Sequence, residues 1–556
     1  MAPGSAQRLL ASRWAPILVL GLGLLVQAGI LVHLSDRLWF FGDDWDFLLR
    51  RGLTSDPELS LLEPHNEHWS TVPIVLFRCL FVVFGLEHYL PYALMPIVAH
   101  VLVCVLLFVL LRSARVSPWV AVLTTLVVAF LAGGAGAENT LWDFQIGFLG
   151  ACVFGLVALV AVDRERRWSL PVAAVALVLG LMSAGIGLVM LFWAGLLTLL
   201  RHGPRRAGLV VVVPTAVYAV WYLGYGRAVH GVPPVPSAAP AAAMKGLGNV
   251  WSDALAMPGA GAAMLLALVA AVVLPRHGQR LFTLAASGLA ALFVAYALFG
   301  YTRSGFGEGA TMAERYLYFG IVFSAPALGA GFDVLARRLR GRSWAQPAGW
   351  AVAATVAGAL GVAHAVQFAD ARVQTIGALQ ERVVAATQVV SSGQRLLGEF
   401  AEPQLNPDIQ VPALRDAEVR DSLPKVQVDA QALLDARGVL QVDVREAAFD
   451  LPFAPEVAWI GFGRQAAGVE QLSGCTSRVA EAGARLEFAV SRAPRQLAVA
   501  ASGEVLNTQL SVGGRTSVAR PWPIQAGAAV HVGVSAEQTT VRILLEPGPV
   551  TVCGRP

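Results

Sequence analysis

The chain has 556 residues, 56% of them hydrophobic and only 14% charged. Soluble globular chains carry roughly 25% charged residues, so this deficit argues against a soluble protein and for a polytopic membrane protein. The net charge of +4 comes almost wholly from arginine, since Lys245 and Lys425 are the only lysines, and no nucleic acid is expected as a partner.

Apolar runs recur along the chain, many near the roughly 20 residues that cross a bilayer as a helix. They fall near 14–34, 90–111, 118–133, 146–162, 169–182, 187–200, 207–224, 258–274, 281–300, 316–335 and 347–368, about eleven in all. The first follows the basic stretch "QRLLASR" without a small-residue cleavage site. It reads as a retained anchor, not a removed signal peptide. Residues 71–86, "TVPIVLFRCLFVVFGL", are apolar but short and contain Arg78. They read as a juxtamembrane helix lying in the interface.

Arginine placement sets the expected orientation. "QRLLASR", "RSAR", "DRERR", "RHGPRR", "PRHGQR" and "RRLRGR" occupy alternate loops, and positive loops stay cytoplasmic. Loops 35–70, 134–145, 183–186, 225–257, 301–315 and everything after 368 then lie outside. The expected location is the inner or plasma membrane, with an extracytoplasmic C-terminus. After residue 368 a helical segment leads to a linker marked by Pro403, Pro407 and Pro412, giving a segment 369–424. From 425 to 556, short alternating runs such as "RLEFAV", "QLAVAA" and "VRILLE" sit between turn residues, which predicts an antiparallel β domain, sandwich-like. Cys475 and Cys553 lie in that domain, and an oxidising compartment would let them form a disulfide. The predicted fold class is thus a polytopic α-helical membrane domain, 1–368, followed by an extracytoplasmic β domain.

Polar residues gather in three of the outside loops. "FFGDDWDFL", residues 40–48, holds Asp43, Asp44 and Asp46, and "EPHNEHW", residues 63–69, holds His65, Glu67 and His68. "AENTLWDFQ" supplies Glu138 and Gln145, and "YTRSGFGEGATMAERY" supplies Arg303, Glu314 and Arg315. A charge at a helix centre in the bilayer costs about 2.5–3.5 kcal/mol, so charges grouped at several span mouths on one side suggest a shared, water-accessible cavity. Blander roles exist for each: an aspartate as helix cap, tryptophans in an interfacial belt, Glu314–Arg315 as an isolated ion pair. Asp43 and Asp44 with His65 and His68 also have the chemistry of metal ligands.

The order of these features resembles the GT-C membrane glycosyltransferases, the class of protein mannosyltransferases, aminoarabinose transferases and mycobacterial arabinosyltransferases. The resemblance covers roughly residues 14–335 and rests on "FGDDWDF", on "EPHNEHW" with the apolar segment after it, and on "ERYLYF" opening a late span. It implies a polyprenyl-phosphate sugar donor at the outer leaflet and a cell-envelope glycan, lipid or protein acceptor. It implies a first-loop aspartate, Asp44 ahead of Asp43, as the base that takes the proton of the attacking hydroxyl. Asp46 ranks lower, since a helix starting there turns it away from Asp44. His65, Glu67, His68, Glu138, Gln145, Arg303, Glu314 and Arg315 would build the acceptor and phosphate sites, with arginines balancing the leaving phosphate. Some members of the class use a divalent metal and others do not, so the cofactor stays open. Two other classes fit the topology: a transporter or flippase of lipid-linked glycan, which needs ionisable residues within its spans, and a cell-envelope scaffold. His100 and His364 are the main ionisable residues within the spans, and the clustered acids favour the enzyme.

Overall fold

Each of the eleven apolar runs folds as a helix, and the first begins where the described residues begin. The computed structural model describes residues 14–51, 59–164, 166–228, 232–339, 345–403, 406–446, 457–465, 475–491 and 495–553. "QRLLASR" and residues 340–342 of "RRLRGR" lie outside them. In chain order the helices are α1 (Ala15–Ser35), α2 (Thr71–Phe84), α3 (Leu90–Ser113), α4 (Pro118–Ala135), the single-turn α5 (Ala137–Leu141), α6 (Ile146–Arg164), α7 (Ser169–Leu181), α8 (Ile186–His202), α9 (Pro204–Gly224), α10 (Ala239–Ala254), α11 (Ala260–Val273), α12 (Gln279–Arg303), α13 (Glu314–Arg338) and α14 (Ala345–Ile376). Among the described residues, eight helices are long and apolar enough to cross a membrane. Helices α7, α8 and α11 have 13, 17 and 14 residues and rise about 20–26 Å, short of the roughly 30 Å hydrocarbon core. The 14-residue α2 is too short to cross upright for the same reason, and its Arg78 is buried.

The chain divides into two compact units. The first comprises Met1–Phe40, Arg50–Val83 and Tyr89–Thr375; the second comprises Phe41–Leu49, Phe84–His88 and Ile376–Pro556. The first loop is therefore shared out, with its aspartate segment assigned to the second unit and its histidine segment to the first.

Small residues let the helices of the first unit approach closely. A Cβ on Gly134 of α4 would strike the Gly361 carbonyl of α14, and one on Gly361 would strike the Phe130 carbonyl. Small residues at such crossings let the two backbones meet in van der Waals contact. One polar chain runs through the same helices. Gln27 Nε2 donates to the Ala129 carbonyl at 2.6 Å, His100 Nε2 lies 3.3 Å from Gln27 Oε1, and His100 Nδ1 lies 2.9 Å from the Tyr318 hydroxyl. One tautomer satisfies every member: Tyr318 donates to Nδ1, Nε2–H donates to Gln27, and Gln27 donates to the backbone. His100 is thus a bonded core histidine that ties α1, α3, α4 and α13 together.

In the second unit, α15 (Leu379–Ser391), the strands β1 (Phe400–Glu402) and β2 (Asn406–Gln410), α16 (Val411–Arg415), α17 (Ala417–Ser422) and α18 (Ala430–Leu440) precede the sheet. The stretch expected to be a helix and linker holds these elements because its prolines sit where they are tolerated. Pro407 is in a two-stranded edge pair and Pro412 in the first turn of α16.

The remaining strands are β3 (Val442–Glu446), β4 (Val457–Gln465), β5 (Cys475–Val490), β6 (Arg495–Ala501), β7 (Val505–Val512), β8 (Arg515–Thr516), β9 (Arg520–Pro523), β10 (Ala529–Val534), β11 (Thr539–Leu544) and β12 (Gly548–Cys553). They form one ten-stranded antiparallel sheet, curved as a half-barrel, where the sequence suggests two packed sheets. The cause is β5. Its first half pairs with β12 from Cys475 to Ala480 and its second half with β11 from Arg485 to Val490. Gly483, at φ +80°, stands between the two registers, a conformation open to glycine. The strand bends there and passes the hydrogen-bond ladder on, and one apolar core of alternating residues lies inside the curve. Cys475 and Cys553 face each other across β5 and β12 and their sulfurs are bonded. Trp459 and Trp522 pack on this core. The Arg520 guanidinium lies 3.8 Å from the Trp522 ring centre, so that indole is not an open platform.

Candidate functional site

The histidine segment folds as a two-residue hairpin. The His65 N–H donates to the His68 carbonyl at 2.9 Å and the His68 N–H returns the bond at 2.8 Å. Asn66 takes the turn at φ +49°, a left-handed conformation that asparagine tolerates. Directly paired residues share a face, and both imidazoles meet phenylalanines one helical turn apart. His65 lies 5.2 Å from the Phe144 ring and His68 meets Phe148 edge-on at 5.1 Å. Arg51 straps the hairpin by donating to the Glu63 and Pro64 carbonyls. Trp69 stacks flat on Trp221 at 5.0 Å, and Trp221 Nε1 donates to the Leu62 carbonyl.

Two ion pairs flank this hairpin in the chain's outside loops as read from the sequence. Arg303, at the end of α12, donates through Nη2 to Glu67 and through Nε to the Tyr316 hydroxyl at 2.8 Å. His68 Nε2 stands 3.5 Å from the same Glu67 carboxylate. Burial pushes the His68 imidazole down to about 4, with Glu67 pulling it partly back and Arg303 pressing it further. His68 is therefore neutral at pH 7, and its buried Nδ1 has no partner among the described residues. Gly185 leaves that atom its room, since a Cβ there would come within 3.0 Å.

The second pair is built at the N-terminus of α13. Glu138 Oε1 accepts from Arg315 Nη1 at 2.5 Å and Glu138 Oε2 accepts the Arg315 backbone N–H at 3.1 Å. The carboxylate thus neutralises the side chain and caps the helix where its dipole favours an anion. Asn139 holds the Arg315 carbonyl at 3.0 Å. Gln145 is buried, and its Oε1 has no partner among the described residues.

Beside Glu314 lies a cavity of about 530 Å³, lined by the ends of α4 and α10, the turn before α11, the start of α13 and the body of α14. Its polar lining is Glu314, Asp253, Asn249, Ser252, His364 and Gln367, with no lysine or arginine. Asn249 donates to Asp253, and Ser252 is used within the α10–α11 turn, where its hydroxyl accepts from Gly261 N–H at 2.9 Å. His364 Nδ1 has no partner among the described residues. Glu314, Asp253, Gln367 and His364 are left for a ligand. This lining has the chemistry for hydroxyl or amine groups and repels phosphate.

The aspartate segment belongs to the second unit. Asp44 is wholly buried, and its Oδ2 accepts the Phe41 N–H at 2.8 Å. The carboxylate reaches back three residues to a backbone donor just ahead of the helical turn. Asp46 is also buried and opens a single π-turn, Asp46–Arg50. Asp43 is half-buried. The Gly42 N–H donates to Asn406 Oδ1 at 2.6 Å, which fixes the turn within its unit.

Of the residues marked out from the sequence, the first unit brings His65, Glu67, His68 and Arg303 into one group and Glu138 and Arg315 into another, with Glu314 in the cavity. No group of three or more histidine, cysteine, aspartate or glutamate residues suited to a metal occurs among the described residues. Sequence reasoning marked Tyr316 within "ERYLYF" but passed over Asn249 and Asp253. Those two lie in a helix whose weak polarity gave no signal. No protein-family model, no curated protein and no solved structure matches the chain.

Proposed function

We propose that this protein is a membrane glycosyltransferase of the GT-C type. It moves a sugar from a polyprenyl-phosphate donor to a cell-envelope glycan, lipid or protein acceptor on the extracytoplasmic side. In this reading the eight long helices cross the membrane, and the shorter α7, α8 and α11 complete eleven crossings where the bilayer thins to meet them. The arginine-rich loops face the cytoplasm, and the C-terminal half-barrel, a variant of the expected sandwich, is extracytoplasmic.

The observation that carries the reading is the cavity at Glu314. Two carboxylates, an amide and a histidine, with no cation among the lining residues, are suited to a sugar's hydroxyls. Arg303 and Arg315, each held by a carboxylate, are the cations that would balance a leaving phosphate. In the reaction the acceptor oxygen attacks the anomeric carbon and its proton passes to a carboxylate. The bond from that carbon to the phosphate oxygen breaks, and polyprenyl phosphate leaves. On the resemblance alone, the base is a first-loop aspartate, a residue of the second unit. Asp43, the more exposed of the pair, is the better candidate, because Asp44 is buried on the Phe41 N–H. A transporter would want a series of free ionisable groups across the bilayer; of the two histidines in the spans His100 is bonded at both nitrogens, which leaves His364 in the cavity.

The test is transfer from a polyprenyl-phosphate sugar to an envelope acceptor by the purified full chain. Asp43→Asn should lower turnover by about 10²–10⁴-fold with unchanged protein level, and Glu314→Gln should weaken acceptor use. Undiminished transfer by Asp43→Asn and Asp44→Asn alike would overturn the assignment of the base. Absence of transfer by the unmodified chain across such donors would overturn the enzyme reading itself.

A further inference from the structure

A second cavity, of about 440 Å³, lies wholly within the second unit, where α15 and α18 meet the β7–β8 hairpin. Its lining includes Arg437 from α18, Arg515 from the hairpin, and Gln388, Ser392 and Gln394 from α15 and the residues after it, over an apolar floor that includes Leu433. No carboxylate lines it. That is the reverse of the cavity at Glu314.

The cations here differ from those of the unit that sit in ion pairs. Arg382, Arg445, Arg485 and Arg542 each carry a carboxylate partner. Among the described residues the side-chain partner of Arg437 is the neutral Gln441, whose Oε1 accepts from its Nε at 2.9 Å. The acids near it are taken. Asp435 accepts from Gln431 Nε2 and from the Val518 N–H, Asp429 caps α18 through the Ala432 N–H, and Glu381 accepts the Asp429 N–H. Burial lowers the Arg437 pKa, the mark of a partly desolvated cation with no compensating charge. Arg515 is placed by the two-residue turn Gly513–Gly514, both at positive φ, which fixes it opposite Val512 in the hairpin.

We propose that this cavity binds an anionic group on a hydroxylated ligand, a carboxylate or phosphate of an acidic glycan. Arg437 and Arg515 hold the charge through their guanidinium N–H groups, which match oxyanions. The Gln388 amide, the Gln394 Nε2 and the Ser392 oxygen meet the hydroxyls, since Gln394 Oε1 already accepts from Gln441 and the Ser392 hydroxyl donates to the Val389 carbonyl, and Leu433 lies under the ring face. The site is independent of the transfer reaction and would stand if that reading failed.

Titration calorimetry on the full chain in detergent tests it, with inorganic phosphate and glucuronate as probes and glucose as the neutral control. Millimolar binding of at least one anion, with none of glucose, is expected. Arg515→Gln, on an exposed hairpin that tolerates it, and Arg437→Gln should each weaken anion binding about tenfold or more. Preference for glucuronate assigns a uronate and preference for phosphate a phosphate-bearing glycan. No anion binding, equal binding of glucose, or anion binding unchanged in Arg515→Gln would overturn the proposal.

Discussion

In the helical unit, leucines and valines cover the outside as well as the inside: Leu25 is 72% exposed, Val220 73% and Leu274 80%. Across 376–553, by contrast, only Val479 and Val518 are large apolar side chains left exposed among the described residues. Apolar area left in water costs roughly 25 cal/mol per Å². The two surfaces are therefore matched to different solvents, one apolar and one aqueous. The same contrast governs what holds each unit together. The helical unit relies on close backbone approach and buried polar pairs, and the sheet on alternating apolar strands closed by a covalent link.

That contrast can be broken at its strongest points first. Replacing Cys475 and Cys553 by serine removes a cross-link spanning 78 residues, which constrains the unfolded chain by about 4.5 kcal/mol. Chemical unfolding should show the loss in the sheet transition, and an equal loss in the helical one would show that the units are not separately stabilised. Next is Arg201, which pairs with Asp163 where both side chains are almost fully buried. Arg201→Met strands that carboxylate and should cost about 3–5 kcal/mol. Arg445→Met, on the exposed pair with Asp443, should cost about 0–1 kcal/mol. Equal costs would remove the distinction between the two solvents.

A smaller effect depends on pH. His68 is held near 4 in the fold and titrates near 6.5 when unfolded. Between those values the unfolded chain binds the extra proton. Stability is then full above about pH 6.5 and falls as pH drops toward 4, by about 3 kcal/mol at most. His68→Gln should flatten that slope in thermal unfolding, and a slope that persists would place the titrating group elsewhere. A further modest change is expected of Gly361→Val, which presses on the Phe130 carbonyl and should cost about 1–3 kcal/mol by overpacking. A neutral outcome would show that α4 and α14 can part without loss.

Much of this fold can be read in the chain. The apolar runs became helices at nearly their expected bounds, since burying or greasing a long apolar segment leaves its backbone no partner but itself. "RLEFAV", "QLAVAA" and "VRILLE" lie in β5, β6 and β11, because a period of two admits no other regular structure with one face buried. The clustered polar loops were also visible, and Glu67 does meet Arg303 and Glu138 does meet Arg315.

What the sequence determined by itself was therefore local: which segments are helical, which are strands, and which loops hold charge. Only the tertiary structure decided the partners. It set Asp44 on the Phe41 N–H and assigned its segment to the second unit. It bent β5 at Gly483 so that ten strands form one sheet, and it brought Asp253 and Glu314 to one cavity and Arg437 and Arg515 to another. Periodicity is a property of neighbours a few residues apart. Which charge faces which depends on contacts between residues far apart in the chain, and no local pattern encodes them.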